Sequence, residues 1–418
     1  MNASAIRISK AATMAFALAG CVSYTSQETQ TIETLAVSEN RPDCVSHVAS
    51  HLGKIRHAQP LVGLFIGISN YDEISGFSPT PAHTISAAMF REPFFVTAAG
   101  GGQKNDLKLV TTMRLDPRSN LARDAERTLR GVGGMLVELI APPDAKPGAA
   151  PLPGEWEYVR NSQATTHQRL LDSIEQSLER AEAVAQERGS VVFILYVSAH
   201  GRLGADGRAY VMPSDADKDA PQTWLDQQQV LSKAAAFLAR SRSDGRSRKA
   251  VLVFDICRVP QGELPEKLTV GVPRAIPNAF VVESTSPGSY AWHWTMESET
   301  HEELNVDSES RLGFPFPPPK TQAGVIDKRF AANMSVAPLA STCAISDFFT
   351  AQAKAGVATQ PAVVAAMNVS DWLRASAKLL PSFTRDIAEV RATHAHQEMQ
   401  LFAPSTLPTI PLLEVGAR

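Results

Sequence analysis

The run Leu61-Val62-Gly63-Leu64-Phe65-Ile66-Gly67-Ile68 is apolar at every position. It is too short for a core helix and rich in β-formers, which predicts a strand buried on both faces. Residues 191–197, 250–254 and 279–282 read the same way, and 107–113 and 135–140 read as further strands. Between them the period changes. Over 167–186, Leu170, Leu171, Ile174, Leu178, Ala181 and Val184 recur on one helical face. Residues 225–239 repeat the pattern through Leu231, Ala235 and Leu238. Residues 82–91, 121–131, 341–355 and 370–391 are also read as helices, 141–154 as a Pro/Gly-rich loop, and 410–413 as an apolar tail segment. An acidic and then proline-rich stretch at 295–331, with Phe314-Pro315-Phe316-Pro317-Pro318-Pro319, reads as an irregular insertion. Doubly apolar strands alternating with amphipathic helices predict an α/β fold, a three-layer sandwich around a mostly parallel central sheet. In such sheets reactive groups sit at the carboxyl ends of strands.

Composition narrows the partners. The chain has 418 residues, 44% hydrophobic and 20% charged, enough apolar material for a large core. Its formal charge of −3 excludes a global basic field, so no nucleic-acid partner is expected. The N-terminus carries Arg7 and Lys10, then an apolar run over 11–19 too short to span a bilayer, ending in Leu18-Ala19-Gly20-Cys21. This resembles the bacterial lipoprotein box. The resemblance implies cleavage before Cys21, lipidation of that cysteine, and a membrane-anchored protein of the bacterial cell envelope facing the periplasm. Residues 1–20 then form the signal peptide, the polar and aperiodic 21–58 a tether, and 59–418 one domain. An oxidising compartment permits a Cys44–Cys343 disulfide and leaves Cys257 free.

The chemistry-bearing residues follow two of the apolar strands. After 191–197 comes Ser198-Ala199-His200-Gly201, and after 250–254 comes Asp255-Ile256-Cys257-Arg258. A thiol attacks as thiolate, and a neighbouring imidazole can take its proton. Gly201 lets the backbone approach a substrate, so that its N–H can face an oxyanion. The paired motifs resemble the caspase-like clan of cysteine peptidases, closest to paracaspases and bacterial caspase-like proteins. Three further segments are similar to clan segments: 65–71 to the first strand, 210–217 to the strand and Pro-x-Asp turn after His-Gly, and 284–291 to the stretch after the fourth strand. The resemblance implies Cys257 as nucleophile, His200 as general base and acid, and the N–H groups of Gly201 and Cys257 as the oxyanion site. It further implies hydrolysis of a protein or peptide substrate through an acyl-enzyme, without metal or cofactor.

Relatives in that clan read the residue before the scissile bond in a charged pocket. Asp255 matches the acidic version, which implies cleavage after Arg or Lys. A second pocket acid opens the helix after the first strand in the relatives, and two alignments compete for it here. One uses the helix at 82–91, which offers no acid. The other uses 121–131 and supplies Asp124, at the cost of making 72–118 an insertion; the element order favours it. Two carboxylates in one pocket favour a cationic side chain over an acidic one by on the order of several kcal/mol. Ser284 and His293 complete the expected substrate-binding set. His293 falls near a pocket arginine of animal caspases, Tyr290 stands where paracaspases carry a third acid, and Ala199 replaces the usual glycine before the histidine. These three departures argue against a strictly basic preference.

Overall fold

In a computed structural model the chain divides into two compact units, 1–39 and 40–418. The structure describes residues 55–71, 75–77, 82–94, 106–112, 163–260, 275–295, 333–354, 365–384, 397–404 and 409–415, all in the second unit. The first half runs β1 (Ile55–His57), β2 (Leu61–Gly67), α1 (Ala82–Arg91), β3 (Asp106–Thr111), α2 (His167–Arg188), β4 (Ser190–Ala199), β5 (Gly201–Leu203), β6 (Ala209–Val211), β7 (Leu225–Asp226) and α3 (Gln227–Ala239). The second half runs α4 (Ser241–Asp244), β8 (Ser247–Ile256), β9 (Ala279–Glu283), β10 (His293–Thr295), β11 (Asn333–Ser335), α5 (Val336–Lys354), β12 (Ala365–Asn368), α6 (Val369–Thr384), β13 (Gln400–Phe402) and β14 (Pro411–Val415).

The central sheet has the order β13-β9-β8-β4-β2-β3. All of its neighbours are parallel except β13, which runs antiparallel along β9. Alternation sends successive side chains to opposite faces. Phe65, Ile194, Tyr196, Val253 and Val282 join α1, α5 and α6 in one core. Leu64, Ile66, Phe193, Leu195, Phe254 and Val281 join α2 and α3 in the other. Helices thus cover both faces of a mixed, mostly parallel sheet, as the sequence predicts. Each fully buried residue of this kind contributes about 1.5–3 kcal/mol by leaving water. Asp226 caps α3, its side chain accepting the Gln228 N–H at 2.8 Å.

Several boundaries differ from expectation. Residues 72–118 are more than an insertion: they supply α1, buried along its whole length, and β3, the strand parallel to β2 at the sheet edge. The end of the expected tether is already structured, since Ile55–His57 pairs antiparallel with the last strand, β14. β4 and β8 are ten residues each, longer than their apolar cores, because parallel pairing continues past the last apolar residue. The predicted helix 121–131 with Asp124 and the strand 135–140 lie outside the described residues, as do Cys21, Cys44 and nearly all of 295–331. Cys343, on α5, is disulfide-bonded, to a partner outside the described residues. No described helix is long and apolar enough to cross a membrane.

Candidate active site

The register of two neighbouring strands builds the site. β4 and β8 pair in parallel with Ser198 beside Asp255 and Ala199 beside Ile256. His200 and Cys257 are therefore the next residues on adjacent chains. The two chains stay together beyond them, with the Leu203 N–H donating to Val259 O at 3.0 Å. Alternation places Ser198, His200, Asp255, Cys257 and Ser284 on one face, the side covered by α1. Gly201 is a steric requirement here: a Cβ would stand 2.6 Å from the Cys257 carbonyl oxygen and 2.7 Å from Ile256 Cβ.

Both peptide groups of His200 are tied. Its N–H donates to Tyr71 Oη at 2.9 Å, and its carbonyl accepts the Met212 N–H at 2.9 Å. Three rings surround its imidazole: Tyr71 at 5.1 Å between centroids, Phe77 at 5.5 Å and nearly parallel, and His83 at 5.3 Å and nearly perpendicular. The Arg202 guanidinium lies 5.2 Å over the outer part of this cage, on the Phe77 ring. Burial keeps the Tyr71 phenol protonated far above its ordinary range, with a further push from the nearby Cys257. The sequence alone singles out none of these rings as a site residue. Only Tyr71 carried a signal, as the last residue of the first-strand motif.

Cys257 is free and half-buried. Its Sγ accepts the Ala291 N–H at 3.3 Å. Burial pushes the thiol up to about 11; the Ala291 hydrogen bond pulls the other way, and the Asp255 charge adds to the rise. Alkylation of resting Cys257 by iodoacetamide, mapped by mass spectrometry, therefore rises about tenfold per pH unit well beyond pH 8.5. At pH 7 it runs roughly 20-fold or more below a free cysteine, once the higher nucleophilicity of the rarer thiolate is allowed for. A plateau near pH 8.5 would contradict the enclosed thiol.

Asp255 is fully buried and bonded on all sides. It accepts from Tyr196 Oη and from Ser284 Oγ, each at 2.6 Å, and from the Ser335 hydroxyl. Burial raises its carboxyl, and the three hydroxyl donors oppose the rise. α1 brings Ser86 to this network: its Oγ accepts the Ser335 N–H at 2.8 Å. α1 is the next described helix after β2, and its first turn holds no acid. His293 lies in β10 opposite Ser335. The structure therefore brings together His200, Gly201, Cys257, Asp255 and Ser284, and puts the backbone of His293 beside them.

Arg258 has a different job from its neighbour. Its guanidinium pairs with the Glu283 carboxylate and donates to Gln400 Oε1 at 2.9 Å and Thr285 O at 3.3 Å. Gln227 Nε2 supports Glu283 at 3.1 Å. This buried cross-link holds the ends of β8, β9 and β13 and fixes the peptide next to Cys257. Asp217 builds its own turn, accepting the Asp219 N–H at 2.9 Å, and Asp215 accepts the N–H of His167 at the start of α2 at 2.8 Å. Among the described residues no group of three or more His, Cys, Asp or Glu is arranged to hold a metal ion. A scan against protein-family models finds no match to this chain, and a search of curated proteins finds none either.

Proposed function

We propose that this chain is a caspase-like cysteine endopeptidase with Cys257 as nucleophile and His200 as general base. The observation that carries the reading is the β4–β8 register, which makes a histidine and a free thiol consecutive neighbours at two parallel strand ends. The resting thiol is neutral, so His200 takes its proton as Sγ attacks the scissile carbonyl and returns it to the leaving amine. Water then hydrolyses the acyl-enzyme. The N–H groups of Gly201 and Cys257 are the proposed oxyanion donors. Cleavage after Arg or Lys rests on Asp255 alone among the described residues.

A second reading is a caspase-like binding module of the cell envelope that does not turn over. The raised thiol and the complete burial of Asp255 favour it. The purified protein, assayed on fluorogenic peptides ending in Arg, Lys or Asp with Cys257→Ala as blank, separates the two. Turnover above the blank supports the peptidase. Its absence on every substrate leaves the binding module. Cleavage after Asp alone would overturn the basic preference and keep the mechanism.

The N-terminal motif supports a lipid anchor at Cys21, with the domain held at the cell envelope. Detergent-phase partitioning of the expressed protein is then lost in Cys21→Ser; unchanged partitioning would refute the anchor.

A further inference from the structure

α1 sits unusually close to the end of β2. A Cβ on Gly67 would stand 2.5 Å from the His83 carbonyl oxygen and 2.7 Å from Thr84 Cα, so this approach requires glycine. It drives His83 into the site from the helix start. The His83 ring is buried, with Nδ1 2.9 Å from Ser198 Oγ. Ser198 lies two residues before His200 on the same face of β4, so the anchor and the imidazole it serves share one rigid strand. The His83 and His200 planes cross at 79° with centroids 5.3 Å apart. Phe77 stacks on His200 at 24°, and Tyr71 lies against it at 40°.

We propose that His83 is a positioning residue for His200: locked to Ser198, its imidazole sets the plane and the proton affinity of the His200 ring. This rests on the reading of His200 as the base of the peptidase. A general base works only while its nitrogen points at the proton it removes, and a ring free to turn about its side-chain bonds loses that geometry. Here Phe77 limits tilt and His83 limits rotation. His83 also keeps water from the ring, and exclusion of water disfavours the imidazolium.

Among the described residues the titratable groups around the two rings include Tyr71, Cys257, Asp255 and Tyr196, whose phenol bonds to the Ser198 anchor itself, and Arg202 is a nearby cation, over the Phe77 ring. The other faces present neutral hydroxyls: Thr84 and Ser86 from α1, Thr111 and Thr112 from the end of β3, and Ser335 from β11. The His83 ring meets His200 edge to face with centroids 5.3 Å apart, so the contact between the imidazoles is direct.

The test combines NMR titration of histidine-labelled protein with the pH dependence of kcat/KM. His200→Ala identifies the resonance. His83→Ala is expected to raise the His200 titration midpoint by at least about half a unit as water enters. It is expected to lower kcat about tenfold with KM within about twofold, the signature of lost orientation. His83→Phe keeps a ring in place and recovers most of kcat. Ser198→Ala, which frees the anchor, moves both readouts in the same direction by less. A His83→Ala protein that melts like wild type and keeps the wild-type midpoint overturns the proposal. So does a fall in kcat with no movement of the midpoint. Should His83→Ala not fold, Ser198→Ala and His83→Phe decide by the same midpoint. The midpoint is read without turnover, so a chain that cleaves no peptide loses the peptidase reading while the contact between the rings is still measured.

Discussion

Arg258→Ala destabilises the domain by about 3–5 kcal/mol, the cost of leaving a buried carboxylate without its partner. Glu283 is enclosed, and truncation of Arg258 leaves its carboxylate, among the described residues, the Gln227 amide. Burial raises the Glu283 carboxyl and lowers the Arg258 guanidinium, and the charge of each opposes the other's shift. Loss of the guanidinium also orphans Gln400 Oε1 and the Thr285 carbonyl. Urea unfolding followed by tryptophan fluorescence measures the change. The double variant Arg258→Met, Glu283→Leu removes both charges and is expected to recover most of the loss, since buried pairs often exchange for apolar side chains at little cost. A single variant within about 1 kcal/mol of wild type would show that the cross-link does not hold the strand ends together.

Turnover, under the peptidase reading, falls at least about 10³-fold in Cys257→Ala and by a similar factor in His200→Ala. The double variant is no slower than the worse single one. Nucleophile and base act as a unit: a thiol that ordinarily ionises only near pH 11 is a poor nucleophile at neutral pH without a base, and without the thiol His200 has no proton to take and return. Additive losses in the double variant would mean that the two side chains serve separate steps. Both variants are isosteric or smaller at half-buried positions, so near-native melting is expected, which separates lost chemistry from lost fold.

The sheet was readable because strands buried on both faces must be apolar on both. The four runs at 61–68, 191–197, 250–254 and 279–282 supply β2, β4, β8 and β9, the first overrunning its strand by Ile68. α2 was readable from its stripe of Leu170, Leu171, Ile174 and Leu178. The placing of His200, Gly201 and Cys257 followed from strand ends alone, while Ser284 entered only through the resemblance of 284–291 to a clan segment. The cage around His200 was not readable. Tyr71 and Phe77 come from an irregular stretch, and His83 arrives through a backbone approach that only Gly67 permits. The strands β5, β6, β7, β10 and β11 have two or three residues each, too few to display a period of two. Asp124 lies outside the described residues, and the stretch 72–118 contains a buried helix and an edge strand. α1 is buried along its length, and its first turn carries His83, Thr84 and Ile85 rather than an acid.

The edge strand β13 has a consequence for the birth of the protein. Gln400 reaches Arg258 across 142 residues of chain, and β14 closes on β1 from the opposite end of the domain. Contacts this distant in sequence cannot form until the late residues exist, and they are slow to find one another. A nascent chain emerging from its point of synthesis can lay β2, β4 and β8 side by side early. The frame behind the thiol then stays unfinished until the stretch around residue 400 arrives. An incompletely synthesised or truncated chain therefore carries both reactive side chains but not the strand that steadies them.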